Sequence, residues 1–188
     1  MTRKAWASKP GPVLVLAALL LAACGGGGSK SPVEHSGVLQ GGHLQGIEFR
    51  TPSRSGTTDA QGRFAYLPGE DVTFSVAGID IGSAAGAPDI SLFTLAGLTP
   101  PSNERMLRRA LDVATRTHSP FTRAMNINLL LLELDADGNP DNGLDVRNRR
   151  ETLKGVTLDF DLPYREFEGS LYRWVPDATH TIPPYLTV

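Results

Sequence analysis

A leucine-rich run that leads straight into a loop of acidic and amide side chains constrains the fold of this chain more than any other feature. The run at residues 129–134 carries so much apolar surface that the rest of the protein has to cover it. The pair Ser119-Pro120 is typical of a helix start, with the serine as N-cap and the proline at the first position. The sequence therefore predicts a helix that runs to the end of the leucines and is buried on most sides. We expect Asn126, inside it, to bond neighbouring backbone, because an unpaired buried amide costs about 1–3 kcal/mol.

The loop after this helix has the residue types of a calcium-binding loop. Side-chain oxygens recur at alternate positions from residue 135 to residue 141, and another carboxylate follows at residue 145. Calcium takes about six to eight oxygen ligands, which a tightly turning loop can supply from alternate residues. Gly138 and Gly143 allow the positive φ angles that such turns need. The predicted calcium ligands are Asp135, Asp137, Asn139, Asp141 and Asp145.

The match of this loop to an EF-hand is partial, and a metal-free loop is an open alternative. Counted from Asp135, the sixth position is Pro140 where an EF-hand has glycine, and the twelfth is Val146 where it has glutamate. The same residue types also form Asx-turns after a helix without any metal. The sequence leaves both interpretations open.

The N-terminal residues predict export from the cytoplasm. Residues 1–23 begin with basic side chains and continue with an apolar segment that is short for a membrane-spanning helix. The only cysteine of the chain follows, so no intramolecular disulfide can form. The signal ends in the tetrapeptide Leu21-Ala22-Ala23-Cys24.

This tetrapeptide resembles the lipobox of bacterial lipoproteins. The resemblance implies cleavage before Cys24, diacylation of its thiol and acylation of the new N-terminus. Acyl chains that each contribute about 0.8 kcal/mol per buried CH₂ would anchor the protein stably in a membrane. Glycine rather than aspartate at position 25 favours, by resemblance to enterobacterial sorting, the outer membrane, on its periplasmic or surface side. The alternatives are an ordinary signal peptide with a chance cysteine and an uncleaved signal anchor.

Composition limits the partners of the mature chain. A length of 188 residues suggests one domain with appendages. Residues 24–36 are rich in glycine and serine and predict a flexible tether. Three of the 18 basic residues precede the cysteine, which leaves 15 basic against 20 acidic residues in the mature part. This balance gives no reason to expect nucleic-acid binding.

Residues 37–82 predict a small antiparallel β-unit. Apolar and polar residues alternate with period two, as in Val72, Phe74 and Val76, which indicates strands with one face buried. Turn signals such as Ser55-Gly56 recur about every 8–12 residues, a spacing that favours a meander or sandwich fragment. The predicted fold class is α+β, a small antiparallel β-sandwich-like unit followed by a helical region.

One turn in this unit has a recognisable motif. We expect Asp59 to cap the turn, Gly62 to take its strained position, and Phe64 and Tyr66 to fill the core. The motif resembles the turn and strand of carboxypeptidase-regulatory-like and related surface β-sandwich modules, which implies a structural or adhesive role. Combined with the LDxDGNPxNG loop, residues 37–145 resemble a widespread set of poorly characterised bacterial envelope and surface lipoproteins, a resemblance that implies no particular activity.

Residues 83–175 predict a helical region, and the tail at 176–188 predicts an extended segment. A helix over about residues 103–117 would start at Ser102 and bury Met106 and Val113. Residues 156–162 alternate and predict a strand, and residues 163–174 have near-helical spacing. The arginines of the first helix indicate either a solvated face or contact with phosphate or anionic lipid. They are Arg105, Arg108, Arg109 and Arg116.

No nucleophile elbow, zinc motif, P-loop or dinucleotide fingerprint predicts an enzyme. The acids at 159, 161, 166 and 168 are spaced for acid–base work, but such pairs are common by chance, and the histidines are scattered. We expect a non-enzymatic binding or adhesion module in the bacterial envelope, held to the membrane through Cys24, with a protein or polysaccharide partner. A periplasmic accessory to envelope transport or hydrophobic-ligand binding is the second hypothesis, and a hydrolase is the third.

Overall fold

A computed structural model describes residues 33–114 and 117–175 of the chain. The predicted signal peptide at 1–23, Cys24, most of the tether and the tail at 176–188 lie outside the described residues. The predicted boundary between residues 82 and 83 falls inside a strand, Ile79–Ala85, and one hydrophobic core draws side chains from both sides of it.

Nine short strands in the described residues form three small sheets. Strands β5-β1-β8 make one sheet, β4-β3-β6-β7 a second, and β2-β9 a two-stranded third. The strands are β1 His35–Gln40, β2 Leu44–Gln45, β3 Glu48–Arg50, β4 Ser55–Thr57, β5 Arg63–Tyr66, β6 Asp71–Val76, β7 Ile79–Ala85, β8 Asp89–Ser91 and β9 Leu144–Asp145.

Aromatic side chains join the two larger sheets. Phe64 of β5 packs edge-on against Phe74 of β6, with ring centroids 5.1 Å apart, and lies 6.1 Å from Phe49 of β3. The predicted alternation is confirmed in β6, where Val72, Phe74 and Val76 are fully buried. The α+β class and the antiparallel β-unit are therefore confirmed.

Three details of the β-structure differ from the sequence predictions. The predicted turn at Ser55-Gly56 is strand β4, because its residues pair with β3. Two strand pairs, β1 with β8 and β2 with β9, are parallel. Residues 156–162 keep the alternating burial but are not a strand. Two of their carbonyls accept the side-chain amide of Asn126 instead of a neighbouring strand's N–H groups.

Four α-helices and two 3-10 turns complete the described fold. The predicted N-cap and first position of α3 are confirmed, since the Ser119 hydroxyl accepts the Thr122 N–H and Pro120 follows. The helices are α1 Leu92–Leu95, α2 Glu104–Ala114, α3 Pro120–Glu133 and α4 Tyr164–Leu171, and the 3-10 turns are Pro140–Asn142 and Arg150–Leu153. Within the described residues, no helix combines the length and apolar character needed to cross a membrane.

Helix α2 begins and packs differently from the prediction. The Asn103 side chain, not Ser102, accepts the Met106 N–H and caps the helix. Met106 and Val113 are 53% and 45% exposed, so they do not belong to the buried face as predicted. The helix instead turns Ala114 inward against α3, because a short helix can bury only one narrow stripe.

Helix α3 lies at the centre of the helical part. Asn126 is fully buried and donates to the carbonyls of Phe160 and Leu162 at 2.9 and 2.8 Å. This confirms the predicted contact of its side chain with backbone, although the backbone comes from more than thirty residues away. The helix is thereby linked to the segment that leads into α4.

Candidate functional site

The Asp and Asn loop, residues 135–145, leaves the end of α3 and returns to the β-unit. Leu144 and Asp145 form β9, which pairs in parallel with Leu44 and Gln45 of β2. The Ala136 N–H donates to the Asp145 carbonyl at 3.0 Å and closes the loop at its base. Gly138 and Gly143 have φ angles of 67° and 107°, so both positions use the backbone freedom predicted for them.

Asp135 is a buried acid at the base of this loop. Its side chain is 3% exposed, and Oδ1 accepts the Asp145 N–H at 2.9 Å. Its Oδ2 is buried and has no hydrogen-bond donor among the described residues. Burial raises the pKa of Asp135, and the facing carboxyl of Asp137 raises it further.

Asp137 is exposed and organises the turn. Its Oδ2 accepts the Asn142 side-chain amide at 2.8 Å, and its Oδ1 accepts the Asn139 N–H at 2.9 Å. These two hydrogen bonds lower the pKa of Asp137, with the Asn142 amide as the larger cause. One carboxylate is therefore held in the charged form beside another whose charged form is disfavoured by burial.

The other predicted ligands have different surroundings. Asn139 caps the 3-10 turn by accepting the Asp141 N–H at 3.3 Å, and Asp141 itself is exposed. Asp145 is engaged by Arg147, whose Nη2 and Nε lie 2.7 and 2.9 Å from its two carboxylate oxygens. This bidentate contact lowers the pKa of Asp145.

The loop therefore brings together two of the four predicted carboxylates. Asp135 and Asp137 face each other, whereas Asp145 is turned to Arg147. In residues 33–114 and 117–175, no three His, Cys, Asp or Glu side chains are grouped as metal ligands. A cation in this loop would have to complete its shell with amide, peptide and water oxygens.

Three of the four acids considered for acid–base chemistry have hydrogen-bond or ion-pair partners. Asp161 pairs with Arg123 at 3.5 Å, and Asp159 accepts the Asp161 N–H at 2.9 Å. Glu168 accepts the Tyr172 hydroxyl at 3.4 Å, and Glu166 is exposed on α4.

Sequence reasoning missed one buried acid, Glu133, which is 8% exposed at the end of α3. Its carboxylate accepts the Tyr172 hydroxyl at 3.4 Å. Burial, with the charges of Glu133 and Glu168, raises the pKa of Tyr172. A lone glutamate at the end of a leucine run was the only sequence signal for this contact.

The exposed face of α2 carries the arginines singled out above. Arg108 pairs with Glu104 one turn away at 2.7 Å, and Arg105 and Arg109 are exposed. Arg116 lies outside the described residues. Exposed pairs of this kind contribute about 0.3–0.5 kcal/mol, so they give solubility more than stability.

Comparisons with models of known protein families, with curated proteins and with solved structures find no match to this chain.

Proposed function

We propose that this protein is a lipid-anchored bacterial envelope protein whose folded unit is a non-enzymatic binding or adhesion module. The observation that carries the proposal is the tetrapeptide Leu21-Ala22-Ala23-Cys24 behind a basic and apolar signal, in a chain with no other cysteine. Thioether-linked and amide-linked acyl chains at Cys24 would hold the protein at the outer membrane.

The distance between the anchor and the folded unit supports a role at the membrane surface. Strand β1 begins at His35, eleven residues after Cys24. Even a fully extended chain of that length spans only about 40 Å. A partner of the module would therefore be met close to the membrane, whichever side the module faces.

The character of the folded unit favours binding over catalysis. Several of its acids outside the Asp and Asn loop are engaged in caps and ion pairs, such as Asp59 at its turn and Asp161 with Arg123. Strand β4 is an edge strand exposed at all three residues, where an extended segment of a protein partner could pair. The resemblance to surface β-sandwich modules points in the same direction.

Lipidation is tested by replacing Cys24. Cells that express the parent or Cys24→Ala are labelled with radioactive palmitate and separated into soluble and membrane fractions. The proposal expects label and outer-membrane recovery for the parent, with both lost in the variant. An unlabelled parent, or a Cys24→Ala chain that is processed and retained like the parent, contradicts a lipid anchor.

Exposure of the module is tested separately by adding protease to intact cells. Degradation of the parent on intact cells supports an adhesion module at the surface. Protection until the outer membrane is opened, together with co-purification of a membrane complex, would replace this proposal by a periplasmic accessory role. Turnover of a substrate that is lost in Asp159→Asn or Glu166→Gln would replace it by a hydrolase.

A further inference from the structure

One oxygen of the buried Asp135 carboxylate has no hydrogen-bond donor among the described residues. A carboxylate oxygen that is removed from water without a hydrogen-bond donor loses its hydration without compensation. Oδ2 of Asp135 is in this position, because the Asp145 N–H donates to Oδ1 and no donor in the described part of the chain is hydrogen-bonded to Oδ2. Such an oxygen requires a proton, a water or a cation.

The surroundings increase the need for positive charge. The carboxyl that faces Asp135 belongs to Asp137, which adds like charge. The nearest basic side chains along the chain are engaged elsewhere, Arg147 with Asp145 and Arg149 with the Glu133 carbonyl at 3.4 Å. Among the described residues, no ion pair neutralises Asp135 or Asp137.

We propose that Asp135 and Asp137 bind a calcium ion at the base of the Asp and Asn loop. Asp135 would contribute its buried Oδ2, and Asp137 would contribute lone pairs that its two hydrogen bonds leave free. The Asn139 side-chain oxygen, peptide carbonyls of the loop and water complete the oxygen shell that a hard cation prefers. Asp141 and Asp145 are not part of this ligand set.

The proposed ligand set predicts weak binding of calcium. It lacks the bidentate glutamate that closes an EF-hand, since the corresponding residue is Val146, which is fully buried. Two carboxylates with neutral oxygens place the dissociation constant at about 10⁻⁴–10⁻³ M, as in extracellular calcium modules. Calcium would tie the end of α3 to β9 and thus to β2, across the junction between the helical part and the β-unit.

The test uses the full chain, purified in mild detergent and stripped with a chelator. Thermal melts and calorimetric titrations are run with calcium chloride, and sodium chloride of matched ionic strength serves as the salt control. The variants are Asp135→Asn and Asp137→Asn. Asp159→Asn is the matched control for Asp137→Asn. Asp159, like Asp137, is exposed and accepts the N–H of the residue two positions later, but it lies outside the loop.

Calcium at about ten times the dissociation constant should raise the melting temperature of the parent and of Asp159→Asn by about 3 °C. The affinity should fall at least about tenfold in both loop variants, as the loss of one of two charged ligands requires. Asp137→Asn keeps the test decisive if Asp135→Asn does not fold, since Asp137 is exposed. No heat and no shift in the parent, or equal shifts in parent and loop variants, would overturn the proposal.

Discussion

Truncation of Asn126 tests whether one buried amide holds the helical part together. In Asn126→Ala, the carbonyls of Phe160 and Leu162 lose the donor that lies 2.9 and 2.8 Å away. Each hydrogen bond contributes about 1 kcal/mol net, and the small void left by the amide adds to this. We expect the free energy of unfolding to fall by about 2–3 kcal/mol.

A second substitution separates the hydrogen bonds from the packing. Asn126→Asp keeps the shape of the side chain, but an ionised carboxylate has no donor and faces two carbonyl oxygens in a fully buried position. The loss should exceed that of Asn126→Ala at neutral pH, because a charge is buried without a partner. It should shrink as the pH falls, since a protonated carboxyl regains one donor.

The assay is urea unfolding of the full chain in detergent, followed by far-ultraviolet circular dichroism, with hydrogen exchange of the α4 amides as a local readout. Asn128→Ala is the matched control, because Asn128 is in the same helix but only half-buried. The control should stay within about 0.5 kcal/mol of the parent. A loss below about 1 kcal/mol in Asn126→Ala, or an equal loss in Asn128→Ala, would refute the reasoning.

Three further predictions concern local contacts. Gly62→Ala should destabilise the protein by about 2 kcal/mol or more in urea unfolding, because Gly62 has a φ of 73° and an added Cβ would lie 2.9 Å from the Leu39 carbonyl oxygen. Ser119→Ala should cost about 1 kcal/mol by removing the N-cap of α3. Above about pH 4, Asp59→Asn should be less stable than the parent, because hydrogen bonds from the N–H groups of Arg63 and Gln61 lower the pKa of Asp59. That stabilisation is present above the unfolded-state pKa and disappears as the pH falls through the folded-state value.

Each of these predictions has a measurement that contradicts it. Gly69→Ala is the control for Gly62, because its φ is 86° but an added Cβ meets nothing within 4 Å, so equal losses would exclude the steric cause. Ser102→Ala is the control for Ser119 and should be neutral, since Asn103 caps α2. A gap between parent and Asp59→Asn that stays constant from pH 7 to about pH 2 would exclude the assigned hydrogen bonds.

Several features that the sequence predicted correctly depend on residues close together in the chain. The Asp59 turn is an example, because Asp59 accepts the N–H groups of Gln61 and Arg63, and Gly62 takes the positive φ. The start of α3 is another, since a Ser119 cap followed by proline needs nothing beyond one turn of helix. The glycines of the Asp and Asn loop belong to the same group.

Two of the sequence predictions that were wrong depend on contacts between distant residues. Residues 156–162 have the alternation of a strand, but a strand also needs a neighbour with free N–H and C=O groups, and Asn126 occupies two of these carbonyls instead. Met106 and Val113 have helical spacing, but which stripe of α2 is buried depends on how the helix lies on α3. Periodicity defines a face without defining what covers it.

The candidate cation site also combines features that the sequence predicts with features that only the structure shows. The sequence by itself determined the alternation of the β-unit and the oxygen-rich loop, and it predicts the export and lipidation signal at Cys24, because each is encoded within a few residues. Only the tertiary structure decided that Asp145 belongs to Arg147 and that Asp135 is buried with one oxygen lacking a donor. The reason is physical: the burial of Asp135 depends on the pairing of β9 with β2, about a hundred residues apart, and no local pattern encodes that pairing.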